Sequence, residues 1–522
     1  MIVTEFLARN ARLIPGAIAL VEITPSQGLR REISWKEFDD QANRVANALI
    51  ARGIKKGEIV MLMMMNSLEW LPVYFGILRT GAIAAPLNFR FLSRQIQYCV
   101  DIAEPKLIIL DRYFLERVEE IRPHCQSVGH YLFVGGGDSP APMGMESLES
   151  SLLASVATVS PTLSLPSLNG EDSAGLYFTS GTTGSPKATL LCHRNLEHCA
   201  LNETFAHQQS RQDTFLLIQP LYHCGGKMHW LGSLMAGGRA VLTPGVELIT
   251  PGLMLEAIQA EQVTICFLFA RWLENIVSAL QSGSLSLRDY NLSSLRLVHS
   301  GAQPIPPVLV RSFLQHFPHV QYDENYGLTE TCGPCMHLGL ENRHKLGSFG
   351  YPRLNVDARV VDKEGQDVPV GTVGECIIRG PNVMQCYYKN PEETRAILRN
   401  GWLHTGDLVK QDEEGFISYV DRKKDMIISE GEDIFPVDIE SVIIGQHKVE
   451  DVAVIGVPDE RYGEVVIAVV QLIDGATLTK EELRAYYEPQ LPKYSWPRLI
   501  IFDDVPRNPT GKIEKPKLRE RY

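Results

Sequence analysis

The chain has 522 residues, well past the ~100–200 typical of one domain, so two or three packed units are expected and a small staple-dependent scaffold is excluded. Apolar residues make up 44% and charged ones 21%, which excludes wholesale disorder and collagen-like or coiled-coil composition. Fifty Lys and Arg against sixty-two Asp and Glu leave a net charge of −12 and an isoelectric point near 5.7, so nucleic acid is not an expected partner.

The first residues carry an acid at Glu5 and no basic run followed by an apolar one, so no signal peptide is expected. The apolar stretch Ile59 to Leu78 is broken by Asn66, Glu69 and Pro72, which predicts no membrane span. Ten cysteines, sparse and irregularly spaced, fit a reducing compartment, and a cytoplasmic address is expected.

Ser34 and Glu37 form a capping box, and Phe38, Ala42, Val45, Ala46 and Leu49 recur at helical spacing until Gly53. A strand follows at about Ile59–Met64. Ser67 opens a helix toward Gly81, Ile83–Pro86 reads extended, Ser93 opens another helix, and Leu107–Asp111 reads as a buried strand. The alternation predicts parallel sheets covered by helices. From about Gly135 to Ser173, Gly, Ser and Pro predict an irregular connection. Strands at Phe215–Ile218, Ala240–Leu242, Val263–Phe269 and Leu295–His299 then imply a second α/β unit. From about Gly347 to Val420 short strands and turn pairs predict a β-rich subdomain. The last hundred residues read as a separate α+β module: a helix from Pro436, strands at Val452–Val457 and Val465–Ile473, a Thr479-headed helix and a strand at Leu499–Phe502.

The most informative segment is Tyr177-Phe178-Thr179-Ser180-Gly181-Thr182-Thr183-Gly184-Ser185-Pro186-Lys187. A short apolar strand runs into hydroxyl and glycine residues and ends in a lysine. Glycines let backbone N–H groups approach phosphate oxygens, hydroxyls donate further bonds, and the lysine adds a mobile charge. The Walker A pattern is absent.

With this loop the chain resembles the adenylate-forming superfamily of acyl-CoA synthetases, firefly luciferase and peptide-synthetase adenylation domains. Further motifs follow in that family's order: Asn325-Tyr326-Gly327-Leu328-Thr329-Glu330, Gly401-Trp402-Leu403-His404-Thr405-Gly406-Asp407, Asp421-Arg422-Lys423-Lys424-Asp425 and Pro506-Arg507-Asn508-Pro509-Thr510-Gly511-Lys512. The resemblance implies an α/β fold with a large N-terminal domain, residues 1–423, built of two α/β subdomains and a β-rich one. A small mobile α+β domain, residues 424–522, follows. It also implies ATP, Mg²⁺ and coenzyme A as cofactors, a small carboxylic acid as substrate, and a monomer or homodimer.

By the same resemblance, Thr179, Ser180, Gly181, Thr182, Thr183, Gly184 and Lys187 hold the departing phosphates, Thr329 contacts the α-phosphate and Glu330 ligates Mg²⁺. Gly301, Ala302, Gln303, Asn325, Tyr326 and Gly327 surround adenine, while Asp407 and Arg422 hold the ribose. Lys512 bridges carboxylate and phosphate oxygens in adenylation. Rotation at Lys424 then exchanges it for a thioester-forming face, with Ser429, Gly431 and Glu432 along the pantetheine tunnel. Glu430, Asp433 and Ala188 depart from the family's common residues.

Pro220-Leu221-Tyr222-His223 resembles the Pro-Leu-Phe-His motif of acyl-CoA synthetases, and the aspartate that receives an α-ammonium in peptide-synthetase domains is absent, so an amino-acid substrate is disfavoured. The acyl pocket is expected to draw on His223, Gly225, Gly226, Lys227, Phe269, Val298, His299 and Cys332, with Tyr326 and Gly327, for a compact apolar acid of aromatic, alicyclic or short-to-medium-chain type. Lys227 pairs with a second substrate carboxylate on one reading; on the favoured one it snorkels to solvent or meets a phosphate. Cys332-Gly-Pro-Cys335 has redox-motif spacing but lies in the expected pocket wall, so it is not assigned a redox role. The expected reaction makes acyl-AMP and pyrophosphate, then acyl-CoA and AMP, and it can run in reverse. The alternatives are loading of an acyl carrier protein and a catalytically inactive nucleotide sensor.

Overall fold

Ser34 caps the helix Trp35–Ala51 as the spacing predicts: its hydroxyl accepts from the Glu37 N–H, and the Glu37 carboxylate accepts from the Ser34 N–H at 2.7 Å. Phe38, Ala42, Val45 and Leu49 bury the inward stripe. The next helix spans Trp70–Arg79, three residues later than Ser67 suggested, with Pro72 in its first turn, where a missing N–H leaves no bond unmade. All ten of its residues are buried, which accounts for the membrane-like apolar run. No helix among the described residues is long and apolar enough to cross a membrane.

The computed structural model describes the chain apart from residues 25–27, 136–140, 155–165, 180–185, 244–249, 430–431, 460 and 508–512, and apart from the side chains of 153 and 154. A large N-terminal α/β domain is followed by a separate C-terminal domain. One eight-stranded sheet has a parallel centre, Ile83–Pro86, Ile59–Met63, Leu107–Asp111 and His130–Val134, and an antiparallel edge formed by Ser173–Thr179 and Lys187–Cys192. A nine-stranded sheet has Arg239–Leu242, Thr214–Leu217, Ile265–Leu268, Leu297–Gly301 and Gln321–Leu328 in parallel. Helices between the sheets share one core that includes Phe38, Phe75, Trp230 and Phe267.

The N-terminal segment was not resolved into elements by its sequence pattern. It forms the helix Val3–Leu13 and the hairpin of Ile18–Thr24 with Leu29–Ser34, and Ile18–Thr24 lies parallel to Arg239–Leu242 in the nine-stranded sheet. The connection expected to be irregular from Gly135 to Ser173 contains a short strand, Glu146–Ser147, and a helix, Leu148–Ala154. The β-rich stretch forms a sheet of Asp357–Val361, Val373–Arg379, Trp402–Gln411, Leu398–Arg399 and Ile417–Arg422. From it Cys386–Tyr387 departs to pair with Lys187–Cys192, which carries Tyr387 to the edge that bears Lys187. The C-terminal domain has its own sheet, centred on the antiparallel pair Val449–Asp459 and Gly463–Leu472, and its own core of Ile427, Ile439, Val454, Ala468 and Leu483.

Candidate active site

The candidate site gathers at the C-terminal ends of the parallel strands, where open α/β sheets place their ligands. Thr179 ends one strand and stands opposite Lys187 on the next. Ser180, Gly181, Thr182, Thr183 and Gly184 lie outside the described residues, as do Gly431 and Lys512. The Lys187 ammonium is 2.5 Å from the Glu393 carboxylate and 5.2 Å from the centre of the Tyr387 ring. Tyr387 donates its hydroxyl to Glu330 Oε1 at 2.6 Å, and the Met384 N–H donates to the Glu330 carbonyl at 2.8 Å. Tyr387 and Glu393 therefore link the two motifs that the resemblance assigns to phosphate and metal. Neither stood out in the sequence, because 57 and 206 residues separate them from those partners.

Thr329 and Glu330 sit in a single turn of 3₁₀ helix, fixed by the buried Thr331 hydroxyl, which accepts from the Leu328 N–H at 2.8 Å. Among the described residues no cation pairs with the Glu330 carboxylate. A single carboxylate held at one oxygen and unpaired with a cation fits a hard divalent ion that keeps phosphate and water as its other ligands.

Tyr326 stacks on Phe349, ring centres 4.3 Å apart at 17°, and its hydroxyl donates to Asp407 Oδ2 at 2.6 Å. Arg422 stands opposite Asp407 in the strand register, with Nε 2.6 Å from Oδ1. Three motifs distant in sequence thus meet at one buried carboxylate. The Asp407 charge raises the Arg422 guanidinium, keeping it cationic. Glycine is required at 301 and 327, where an added Cβ would lie 2.3 Å from the Asn325 carbonyl and 2.0 Å from that of Gly333. Ala302 adopts a left-handed backbone, φ +71°, at the turn leading to Gln303. The Asn325 side chain is committed beneath this turn: Arg353 donates to its Oδ1, and its amide donates to the Ser300 carbonyl at 3.3 Å.

His223 caps the helix Cys224–Ala236, its Nδ1 accepting from the Gly225 N–H at 2.9 Å. Phe269 stands beside Gly225 and packs on Phe267 and Trp272. Four expected pocket residues belong elsewhere. Val298 points to the opposite face of its sheet, into the core with Leu268 and Tyr322, because neighbours on a strand alternate faces. Gly226 turns its missing side chain toward Gln219 and the Pro220 carbonyl, a close helix-to-chain contact. Cys332 is buried against the Met228 sulfur at 3.9 Å. Lys227 does not snorkel: it is 1% exposed, donates to the Leu221 carbonyl at 3.2 Å, and lies 4.3, 5.3 and 5.7 Å from the ring centres of Tyr177, Tyr74 and Trp70. Burial lowers its ammonium to about 8. Cys332 and Cys335 are unlinked buried thiols facing different neighbours, and burial pushes both upward, Cys335 to about 12, which opposes a reactive dithiol.

A buried polar network underlies the site. The carboxylate of Glu203 meets Arg353 at 2.5 Å, His207 at 3.0 Å and His229 at 3.2 Å, and His207 reaches Asp323 at 2.8 Å. Against the opposing effect of burial, Arg353 and the histidines hold Glu203 well below the usual carboxylate range, while Glu203 and Asp323 raise His207. These contacts brace Asn325 and the strand Gln321–Leu328 that leads into Glu330. Lys424 is exposed, whereas Asp421 is buried and its carboxylate accepts from the Val437 N–H at 3.1 Å. Farther on, Ser429 is buried and donates to the Glu464 carbonyl at 2.6 Å, and Glu432 is exposed. A groove beside Ser429 is lined by Tyr462, Arg484, Lys493, Trp496 and Arg498.

The AMP-binding enzyme family matches residues 7–388, and its C-terminal domain family matches residues 438–512. Indoleacetate–CoA ligase of Aromatoleum aromaticum is 32% identical over 523 residues, covering 100% of this chain and 98% of that one. Feruloyl-CoA synthase of an Amycolatopsis species is 32% identical over 519 residues, 98% of each chain. Among solved structures, the anthranilate CoA ligase AuaEII in complex with anthranoyl-AMP aligns with a TM-score of 0.88 and 26% identity over 100% of this chain and 97% of that one. ATP-bound MatB from Rhodopseudomonas palustris aligns with a TM-score of 0.87 and 29% identity over 100% and 99%. The chain belongs to the AMP-binding, adenylate-forming enzyme family. Within that family it is an acid–CoA ligase, an enzyme that uses ATP and coenzyme A.

Proposed function

We propose that this ligase activates a compact carboxylic acid, aromatic, alicyclic or short-to-medium in chain length, as its acyl-adenylate and passes the acyl group to the thiol of coenzyme A. The observation that carries the nucleotide part is the meeting of Tyr326, Asp407 and Arg422 through contacts of 2.6 Å. Asp407 accepts from the ribose hydroxyls, Arg422 donates to the same sugar, and the Tyr326 ring offers adenine the face not covered by Phe349. Lys187 exchanges Glu393 for phosphate oxygens. Glu330 is the residue that would hold Mg²⁺, which when bound supplies charge to offset the repulsion between the attacking carboxylate and the α-phosphate. Thr329 donates to that phosphate, and Lys512 bridges it to the substrate carboxylate.

The compact-acid reading rests on Phe269, whose ring stands beside Gly225 and is itself packed by Phe267 and Trp272. The division at residues 423 and 424, with rotation about Lys424, provides the exchange of active faces between the half-reactions. In the second arrangement the chain after Ser429, including Gly431 and Glu432, borders the thiol path, and the cations of the neighbouring groove suit coenzyme A phosphates. The test is Lys512→Ala, which is expected to reduce pyrophosphate release at least a hundredfold while leaving thioester formation from supplied acyl-AMP within about threefold. Equal loss in both steps would overturn the exchange of faces.

A further inference from the structure

The chain around Tyr387 is tied down on both sides by its backbone. The Gln385 and Tyr388 N–H groups donate to the Leu190 and Ala188 carbonyls at 2.9 and 2.8 Å, and the Tyr387 N–H donates to Thr394 Oγ1 at 3.0 Å. The Thr394 hydroxyl donates in turn to the Asn390 carbonyl at 2.7 Å, at the start of the helix Pro391–Ile397 that carries Glu393. Tyr387 pairs with Thr189, two residues beyond Lys187 on the facing strand. The neighbouring Met384 N–H ties the same segment to the Glu330 carbonyl. Tyr387 is 6% exposed, and its ring is placed by these main-chain bonds, none of which involves its hydroxyl.

Two charged groups meet on this one side chain. The Lys187 ammonium lies 5.2 Å from the ring centre, where the aromatic face attracts a cation. At the other end the hydroxyl donates to Glu330 Oε1 at 2.6 Å. Burial, then the charge of Glu330, pushes the phenol well above its ordinary pKa, so it keeps its proton and remains the donor. The last torsion of a glutamate side chain is broad and sets no fixed carboxylate plane by itself. Here the phenol supplies that constraint. Oε1 is taken, while Glu330 Oε2 makes no hydrogen bond or ion pair with any described residue. One oxygen is therefore left open in one orientation, and a ligating carboxylate is tuned by the group that bonds its other oxygen.

We propose that Tyr387 is a positioning residue for adenylation: its hydroxyl holds Glu330 Oε1 so that Oε2 is left to bind the metal of a Mg²⁺–ATP complex, and its ring face guides Lys187 to the same polyphosphate. This deepens the ligase reading and rests on it. Tyr387 acts through Glu330 and Lys187, and the two contacts are separable, because phenylalanine keeps the ring face and removes only the donor. The thioester step carries no polyphosphate, so loss of the hydroxyl falls on the first half-reaction alone.

Calorimetry with α,β-methylene-ATP, which cannot release pyrophosphate, reads the metal's contribution without turnover. The measured quantity is the ratio of the analogue's Kd without Mg²⁺ to its Kd at saturating Mg²⁺. Tyr387→Phe should lower that ratio about tenfold, the scale for losing a group that orients a metal ligand, and leave the metal-free Kd within about twofold. Its pyrophosphate release should need more Mg²⁺ and recover in part when Mg²⁺ is raised, while thioester formation from supplied acyl-AMP stays within about threefold. In a Glu330→Gln background Tyr387→Phe should change the ratio no further. Tyr387→Leu, which also deletes the ring face, should weaken metal-free binding as well. An unchanged ratio in Tyr387→Phe, or equal weakening with and without Mg²⁺, overturns the proposal without touching the ligase reading. Should that variant not fold, 3-fluorotyrosine placed at position 387 alone keeps the shape: its ¹⁹F resonance in the analogue complex should move when Mg²⁺ is added, and a stationary resonance overturns the proposal. Absence of pyrophosphate release by the wild-type enzyme with a panel of aromatic, alicyclic and short-to-medium-chain carboxylic acids overturns the ligase reading itself.

Discussion

Glu393→Gln isolates the exchange proposed for ATP at Lys187. The Lys187–Glu393 pair is 2.5 Å long, with side chains 23% and 40% exposed. A contact this open to water is worth about 0.2–1 kcal/mol rather than the several of a buried pair. If the phosphates take Lys187 from Glu393, removing the competing charge tightens ATP binding by no more than that amount, which corresponds to a fall in KM of at most about fivefold. Glutamine preserves the volume, and the backbone N–H of position 393 still donates to Asn390 Oδ1, which caps the start of the short helix Pro391–Ile397. Initial rates of pyrophosphate release against ATP concentration, at saturating acid, measure the effect. The expected result is a two- to fivefold lower KM for ATP, little change in kcat and a weaker dependence of KM on salt. A raised KM, or a tenfold loss of kcat, would show that Glu393 positions Lys187 for chemistry instead of competing with phosphate.

Two further substitutions test burial. The native chain holds the Lys227 proton only up to about pH 8, against 10.5 for the ordinary side chain. Carrying that charge therefore costs stability fully below pH 8, and the cost fades as pH rises toward 10.5. Lys227→Met should raise the urea unfolding free energy at pH 7 by up to about 3 kcal/mol, with a gain that shrinks above pH 8, and should keep kcat/KM within threefold; selective loss of dicarboxylic substrates would restore a binding role. Asp421 shows the carboxyl counterpart. Burial raises it from 3.8 to about 6, although Lys515 opposes the shift. The native chain thus binds this proton more tightly than the unfolded one, and stability is lost as pH rises from about 4 through 6. Asp421→Asn should gain nothing at pH 4 and up to about 3 kcal/mol at pH 7.5; lower stability at pH 7.5 would show that the bonds to the Val437 and Arg422 N–H groups outweigh the burial cost.

The parts of the fold written in local patterns were legible. Ser34 with Glu37, the apolar run Leu107–Asp111 and the Thr479 cap each declare their element through residues a turn or a strand apart. The strand Leu29–Ser34 was not, because its first four residues are exposed and Arg30, Arg31 and Glu32 break any alternation. It is held instead by ion pairs from Arg30 to Glu261 and from Arg31 to Glu22 and Glu69. The site divides in the same way. The motifs that carry Tyr326, Asp407 and Arg422 stood out in the sequence, whereas Tyr387 and Glu393 come near Lys187 only through the pairing of Cys386–Tyr387 with Lys187–Cys192. Lys227 was misread because its aromatic cage comes from two other segments, Trp70 with Tyr74 and Tyr177. The error at Val298 was avoidable. Adjacent strand residues face opposite ways, so Val298 and His299 could not line one pocket together.

The direct measurement of the central claim is product stoichiometry with the best acid from the panel. Nucleotides, pyrophosphate and thioester are quantified with and without coenzyme A. The predicted result is one AMP and one pyrophosphate per acyl-CoA formed, with pyrophosphate release falling to a single-turnover burst when coenzyme A is withheld. Formation of ADP and phosphate, or acyl-AMP accumulating while coenzyme A stays unacylated, would contradict it.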